Sequence, residues 1–175
     1  IYDYIRDIDG NHITADDVVY SFNKWVEFGT NSYSHYVDNI EKIDDYKVRL
    51  TLNIKPYPSL LQMMDCKIIS RKAYEASPDG MVTSPVGTGQ YRVTEFVNSA
   101  KVVMEKTYDH WQDPSLLPNY YKANVDIIEF DVIKETPQVE TALKTGNIQQ
   151  GTINASIAED LVKEEGLRVV TYPAN

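Results

Sequence analysis

The chain has 175 residues, of which 42% are hydrophobic and 25% are charged. This composition is typical of a globular protein with a real core, and the length suits one domain or one large lobe of a bigger protein. The 26 acidic residues outnumber the 17 basic ones and give a formal net charge of −9. Nucleic-acid binders need a clustered positive face, and none is visible here, so we expect no nucleic-acid partner.

No stretch approaches about 18 consecutive apolar residues, so the sequence predicts no membrane-spanning helix. Cys66 is the single cysteine, which excludes an internal disulfide. It lies beside an apolar run, and we expect a buried structural thiol rather than a reactive one. The chain shows no signal peptide, starts at Ile1 without an initiator methionine and ends after an apolar run, so we expect a piece of a longer protein.

The first predicted helix begins after Thr14. Thr14 is placed to cap the helix, and Asp17, three residues later, completes a capping-box pattern. Asp16 and Asp17 are adjacent and diverge on a helix, so a role at the positive end of the helix dipole is favoured over paired acid–base chemistry. Gly29 is the predicted end of the helix. Its apolar face consists of Val18, Val19, Phe22, Trp25 and Val26.

Short elements are predicted in the middle of the chain. Residues 47–54 alternate apolar and polar side chains with a period of two, which predicts a strand ended by Pro56. Pro58 suits the first turn of a short helix, and residues 70–76 predict another. Residues 77–89 are rich in glycine, proline, serine and threonine and predict a structured loop.

Three further strands are predicted after that loop. Residues 90–97 and 100–106 are predicted to pair as a hairpin through a short turn, and residues 125–133 form another strand. A loop that contains proline and tyrosine, 108–124, separates the hairpin from the last of these strands.

In the last third of the chain, predicted helices alternate with predicted strands. Thr136 is predicted to cap a helix with Pro137 at its first position, and Gly146 to end it. A strand is predicted over 148–153.

A second capping box, from Ser156 to Glu159, predicts a further helix that Gly166 ends, followed by a strand over 167–172. This alternation favours a sheet with crossover helices. The predicted fold class is α/β, with mixed α and β elements.

The residues offer no support for catalysis. His12, His35 and His110 are widely spaced, so a zinc site is not expected. The sequence from Gly87 to Gly89 lacks the Gly-Lys-Ser/Thr ending of a nucleotide-binding loop and leads into a strand, so we expect a tight structural turn. No Gly-x-Ser-x-Gly motif occurs, and we expect neither enzymatic activity nor a cofactor.

Tyrosines are the remaining candidates for a functional role. Tyr33 and Tyr36 lie in a polar loop that cannot itself form a core strand. Their rings either cover the edge of the core or line a cleft where rings and hydroxyls meet a ligand. The residues alone leave both interpretations open.

Four motifs, in order, resemble family 5 of the bacterial extracellular solute-binding proteins. Residues 13–22, behind Asp9 and Gly10, are similar to the run that opens a helix in that family. Residues 85–91 are similar to its Pro-Val-Gly-Thr-Gly-Pro-Tyr turn, and residues 108–111 resemble its Tyr-Trp loop. Residues 136–148 resemble its Ala-Leu-x-x-Gly-Glu-Ile-Asp segment. Together the motifs cover nearly the whole chain, which makes the resemblance specific.

Three positions depart from the family pattern. Gln90 stands where the family usually has proline, and Asn147 and Gln149 stand where it has acidic residues. We interpret these positions as structural, so the fold that the resemblance implies is unaffected.

The resemblance implies a periplasmic-binding-protein-like fold of type II, in which two lobes close on a ligand. Residues 1–175 then form part of the first lobe, with a helix-rich subdomain over about 1–84, a sheet with crossover helices over about 85–175, and the second lobe absent. The resemblance places Tyr33 and Tyr172 among the ligand-lining residues. The structural motifs are carried by Thr14, Asp17, Gly87, Gly89, Trp111 and Gly146.

The implied function is substrate capture, without chemistry, for an ABC importer. We expect reversible binding of an oligopeptide or dipeptide, permease subunits as partners, and a monomer. The expected location is extracytoplasmic, either periplasmic or as a cell-surface lipoprotein whose anchor lies outside this segment.

Other functions stay open. The same fold also suits an oligosaccharide, a metal chelate or another small solute, although the scattered histidines count against a nickel-type member. A hydrolase is disfavoured because no reactive constellation is visible, and a self-standing structural or adhesion module because both ends of the chain look cut.

Overall fold

The computed structural model describes residues 1–29, 33–53, 66–113, 115, 118 and 121–171. Its helices are α1 (Ala15–Phe28), α2 (Arg71–Ala76), α3 (Thr136–Lys144) and α4 (Ala155–Leu161), with a 3-10 turn at Ser34–Tyr36. Its strands are β1 (Val37–Asp44), β2 (Lys47–Leu52), β3 (Tyr91–Val97), β4 (Lys101–Lys106) and β5 (Ile127–Asp131). No helix within these ranges is long and apolar enough to cross a membrane.

The chain divides into two compact units. The first comprises Ile1–Phe96 and Val102–Glu129, and the second comprises Val97–Lys101 and Phe130–Asn175. The division of the lobe into subdomains near residue 84 stays a prediction.

The core of the first unit forms around α1. Val18, Phe22 and Trp25 on one face of this helix pack with Ile40 of β1 and with Cys66. Phe22 and Trp25 meet edge to face, with ring centroids 5.8 Å apart. The amphipathic face of the sequence therefore identified these three core positions correctly.

Cys66 is buried in this core, as predicted. Burial raises the pKa of its thiol to about 11. The reactive thiolate is therefore scarce at neutral pH, which agrees with a structural role.

Both ends of α1 follow the sequence signals. Asp17 Oδ2 accepts hydrogen bonds from the Thr14 backbone N–H at 2.8 Å and from the Thr14 hydroxyl at 3.1 Å. At the other end Gly29 adopts the left-handed conformation, with φ 57°, and donates its N–H to the Trp25 carbonyl. Val26, predicted on the apolar face, is instead 42% exposed.

A second contact of Asp17 was not predicted. Its Oδ1 accepts a hydrogen bond from the Arg71 backbone N–H at 2.9 Å. One turn further along α1, the Ser21 hydroxyl accepts from the Ile69 N–H at 2.9 Å and donates to the Asp17 carbonyl at 2.7 Å. Asp17 and Ser21 are both buried, so they fix α1 against the segment that leads into α2.

β1 and β2 pair as an antiparallel hairpin that covers α1. Ile40 lies opposite Leu50 and is the buried residue of β1. The turn is held by Asp44, whose Oδ1 accepts from the Tyr46 N–H at 2.9 Å. The strand predicted from the alternation is confirmed as β2, and the part of it beyond residue 53 lies outside the described residues.

β1 itself was not predicted. Its pairing with β2 is irregular between Val37 and Asn39 and again between Lys42 and Asp44. These irregularities break the period of two that reveals a strand in a sequence. The short helix predicted at Pro58 lies outside the described residues, whereas the one predicted over 70–76 is confirmed as α2, capped by Ser70.

The other sheet has the strand order β3-β4-β5. The predicted hairpin of β3 and β4 is confirmed, and Ser99 in its turn has a positive φ of 59°. The Lys106 N–H donates to the Asp126 carbonyl at 2.8 Å, and the Val132 N–H donates to the Ala100 carbonyl at 2.8 Å. These bonds join the end of β4 to the start of β5 and the start of β4 to the end of β5, which is antiparallel pairing.

The helices of the second unit begin at other residues than predicted. α3 includes Thr136 as its first residue, and Glu135 takes the capping position. α4 is capped by Asn154, whose Oδ1 accepts from the Ile157 N–H at 3.1 Å, so the predicted cap at Ser156 is wrong. Gly146 does follow α3 in the left-handed conformation, with φ 73°.

The strands predicted over 148–153 and 167–172 are also wrong for the described residues, which form no strand there. A strand requires a partner whose backbone completes the ladder, and neither segment pairs with a described strand. Residues around Gly151 pack instead against α3, since a Cβ at Gly151 would lie 2.9 Å from Val139 Cγ1. Within the described residues, α3 and α4 therefore do not cross over between strands. The mixed α and β fold class is confirmed.

We expect Asp17→Ala to lower the free energy of unfolding by about 1–3 kcal/mol, because it leaves the Thr14 and Arg71 N–H groups without their acceptor. Asp16→Ala is the matched control. Asp16 is 59% exposed and pairs with Lys42, and such a surface pair contributes little to stability because solvent screens it. Urea unfolding of both variants measures the difference, and equal losses would contradict the role assigned to Asp17.

Candidate functional site

A cavity of about 440 Å³ lies within the first unit and is called here the Trp111 cavity. It is lined by residues 6–10, Gly89, Arg92 and 107–111. These three parts of the chain are far apart in sequence, and the fold brings them together. The volume is in the range of small-molecule sites.

One wall of the cavity is a tight turn over residues 7–11. Asp7 is 5% exposed, and its Oδ1 accepts hydrogen bonds from the Asp9 and Asn11 backbone N–H groups at 3.0 and 2.8 Å. The Asn11 side-chain amide donates to Asp7 Oδ2 at 3.0 Å. Gly10, with φ 83°, closes the turn. Asp7 is therefore occupied in holding the loop, and it is not available as a buried reactive acid.

Arg92 of β3 also lines the cavity. Its guanidinium donates to Asp9 Oδ1 at 2.9 Å and to the Ile8 carbonyl. Arg92 thus ties the strand to the turn, although the Arg92 and Asp9 side chains remain 44% and 41% exposed.

The turn over residues 87–89 connects the other parts of the lining through its backbone carbonyls. The Gly87 carbonyl accepts from the Ile8 N–H at 2.9 Å. The Thr88 carbonyl accepts from His110 Nε2 and from the Trp111 indole N–H, each at 3.0 Å. His110 therefore carries its proton on Nε2, and its Nδ1 accepts from the Gln112 N–H at 3.3 Å. These contacts support the turn interpretation of Gly87 and Gly89 and the structural interpretation of Trp111, which stay predictions.

Gln90 shows what the departure from the family proline does in this chain. Its side-chain amide donates to the Tyr121 carbonyl at 2.6 Å and accepts from the Ala123 N–H at 3.0 Å. Its own carbonyl accepts from the Thr107 N–H at 2.8 Å. The Gln90 side chain thereby links the start of β3 to the loop at residues 121–123. A proline at this position has no side-chain amide and could not make these hydrogen bonds.

An aromatic row extends from the cavity wall. It consists of His110, Trp111, Tyr4 and Tyr2, with successive ring centroids 5.2, 5.9 and 5.2 Å apart. Tyr2 and Tyr4 stack with an interplanar angle of 20° and are 66% and 52% exposed. Both tyrosines belong to a turn in which the Ile5 N–H donates to the Tyr2 carbonyl at 3.4 Å.

Of the two predicted ligand residues, the structure describes Tyr33. Tyr33 is half-buried, packs against the core around α1 and lies 6.3 Å from the Tyr36 ring, centroid to centroid. Tyr172 lies outside the described residues. The structure does not bring Tyr33 into the Trp111 cavity, and its role toward a ligand stays a prediction.

Sequence reasoning missed most of the cavity. The run Asp7-Ile8-Asp9-Gly10-Asn11 carries the signal of a side-chain-stabilised turn, and could have been identified as such. The sequence gives no sign that Arg92 pairs with Asp9, because the two residues are 83 positions apart. Among the described residues, no group of three or more histidine, cysteine, aspartate or glutamate side chains is placed to hold a metal ion.

Residues 5–175 match the model of the family described as bacterial extracellular solute-binding proteins, family 5 middle. Among curated proteins, the chain is 25% identical over 142 residues to YejA of Escherichia coli, covering 79% of this chain and 23% of that protein. It is 27% identical over 113 residues to the peptidoglycan-binding protein YepA of Agrobacterium fabrum, covering 59% of this chain and 18% of that protein.

A solved structure has a similar fold. The oligopeptide-binding protein AppA of Bacillus subtilis, in complex with a nonapeptide, superposes with a TM-score of 0.76 and 20% identity. The match covers 95% of this chain and 34% of that one. The chain thus spans about a third of this structure, and it spans less than a quarter of the two curated relatives.

We expect Gln90→Ala to speed hydrogen exchange at the Ala123 amide and to lower the free energy of unfolding by about 1–2 kcal/mol, because two hydrogen bonds are lost. Gln138→Ala, an exposed glutamine on α3, is the control and should change neither quantity. Unchanged exchange at Ala123 would show that the Gln90 amide does not hold this loop.

Proposed function

Because the chain belongs to family 5 of the bacterial extracellular solute-binding proteins, we propose that it is part of a protein that captures peptides reversibly for an ABC importer. The observation that carries the proposal is the family match over nearly the whole chain. The nonapeptide complex of AppA supports a peptide as the cargo. Capture of this kind requires binding without chemistry, and the family consists of binding proteins.

The proposed mechanism is closure of two lobes on the peptide, of which this chain contributes part of the first. Backbone hydrogen bonds hold an extended peptide, and wet pockets tolerate different side chains. The closed state is stabilised because the ligand contacts both lobes. The short match to each relative supports a division of the binding contacts between this chain and the rest of a longer protein.

Tyr33 and Tyr172 are the proposed ligand-lining residues of the first lobe. Half-burial of Tyr33 against the core supports this, since a ring fixed on one side by packing presents its other side at little cost in conformational entropy. Its hydroxyl then supplies a polar contact at the edge of an apolar ring.

The proposed setting is extracytoplasmic, in agreement with the family description. We propose permease subunits of an ABC transporter as partners, a monomer that needs no cofactor, and either a periplasmic form or a lipoprotein anchored through a segment beyond this chain.

A second candidate cargo is a fragment of peptidoglycan, which combines a peptide with sugars. The similarity to a relative named as a peptidoglycan-binding protein favours it specifically. An oligosaccharide or a metal chelate on the same fold is the more distant alternative.

We expect short peptides to raise the thermal unfolding midpoint of the full-length protein, because a ligand that binds only the folded state stabilises it by mass action, by about 2.7 kcal/mol at a hundredfold excess over Kd. Differential scanning fluorimetry with peptides of two to nine residues, disaccharides and a muropeptide measures the effect. A shift with disaccharides alone would remove the peptide assignment, and a shift with the muropeptide alone would favour the second candidate.

We expect Tyr33→Phe in the full-length protein to weaken peptide binding, because the ring keeps its packing against the core while the hydroxyl is lost. The expected loss is about three- to tenfold in Kd, equivalent to one hydrogen bond. Tyr46→Phe, in the turn of the β1–β2 hairpin, is the matched control. Isothermal titration calorimetry measures both variants, and an unchanged Kd would remove the Tyr33 hydroxyl from the site.

A further inference from the structure

Tyr33, the described residue proposed for the capture of peptides, lines neither the Trp111 cavity nor the aromatic row beside it. The cavity lining combines charged side chains with the aromatic rings of Tyr108 and Trp111 and one aliphatic side chain, Ile8. A purely apolar ligand would leave the charged groups without water, so the lining favours a ligand that has both apolar and polar surface.

The aromatic row extends the apolar surface of the cavity. Trp111 belongs both to the cavity wall and to the row, and Tyr4 continues the row at a centroid distance of 5.9 Å. Tyr4 and Tyr2 expose more than half of their surface. Their ring contacts are with each other and with Trp111, so the core does not require them.

Several polar groups at the cavity keep unused hydrogen-bonding capacity. Asp9 Oδ2 and both carboxylate oxygens of Asp109 accept no hydrogen bond from the described residues, and Arg6 uses one of its donors, on the Gly10 carbonyl at 2.9 Å. A hydroxyl group both donates and accepts, so a carboxylate and a guanidinium side by side match adjacent hydroxyls.

The charges at the cavity select a neutral ligand. An anion would be repelled by the carboxylates of Asp7, Asp9 and Asp109. A cation would be repelled by the guanidinium groups of Arg6 and Arg92. A polyhydroxylated ring carries no charge, has an apolar face for an aromatic ring, and presents hydroxyls at its edge.

From this combination we propose that the Trp111 cavity is a saccharide-binding site separate from the capture cleft. A pyranose ring lies against Trp111 and Tyr4 with its apolar face, and its hydroxyls bind Asp9, Asp109 and Arg6. The site takes a neutral sugar or one unit of a longer glycan.

The test is a titration of the full-length protein with cellobiose, maltose and chitobiose, followed by the NMR resonance of the Trp111 indole N–H. The Trp111→Phe variant assigns this resonance, which disappears there. At least one disaccharide should shift it saturably. No shift from any of them at about 10 mM, well above a millimolar dissociation constant, would overturn the proposal.

Variants test whether the named residues make the site. Tyr4→Ala should weaken the binding about three- to tenfold through loss of the ring contact, while Tyr46→Ala, an exposed tyrosine elsewhere in the first unit, should leave it unchanged. Asp109→Asn removes a carboxylate that supports no described contact, so folding is unaffected, and binding should also weaken. Full binding in both Tyr4→Ala and Asp109→Asn would refute the site.

Ionic probes decide the class of ligand. Acetate and tetramethylammonium should shift the Trp111 resonance less than the disaccharides do, because the cavity carries charges of both signs. A tighter response to either ion than to every disaccharide would overturn the assignment of a neutral sugar.

Discussion

The buried carboxylate of Asp17 is the interaction on which the first unit depends. One oxygen completes the start of α1, and the other binds the backbone at the start of α2, 54 residues later in the chain. A buried carboxylate that lost these donors would be costly, so the two elements must keep their relative position. Cys66 precedes α2 in the chain, and this constraint helps to hold it against Trp25 and Phe22 in the core.

A second constraint, the Thr88 carbonyl, organises the other side of this unit. Two ring N–H groups, from His110 and Trp111, converge on it, while the neighbouring Gly87 carbonyl binds Ile8. Two distant segments meet at one short turn, and residues of all three parts of the chain line the Trp111 cavity. The same indole that donates to this turn also belongs to the aromatic row, so structural support and the proposed binding surface share one residue.

The chain belongs to a family of solute-binding proteins, and two of its surfaces are proposed to bind ligands. Tyr33 lies on the edge of the core around α1, whereas the aromatic row lies at the Trp111 cavity. The first is proposed for a ligand that a second lobe encloses, and the second for a sugar held by one unit alone. The two proposals differ, since the first depends on the closure of two lobes and the second on side chains of the first unit alone.

The sequence by itself determined the elements whose signals are local. The cap at Thr14, the end at Gly29, the alternation of β2 and the motifs of the family all depend on residues a few positions apart, and all were identified. Tertiary structure alone decided the contact of Asp17 with Arg71 and the pairing of Arg92 with Asp9. It also decided that residues 148–153 and 167–171 form no strand. A strand pattern becomes a strand only when a neighbouring backbone accepts its hydrogen bonds, and that neighbour is not encoded in the pattern. For the same reason the cavity could not be predicted, because its walls meet only after folding.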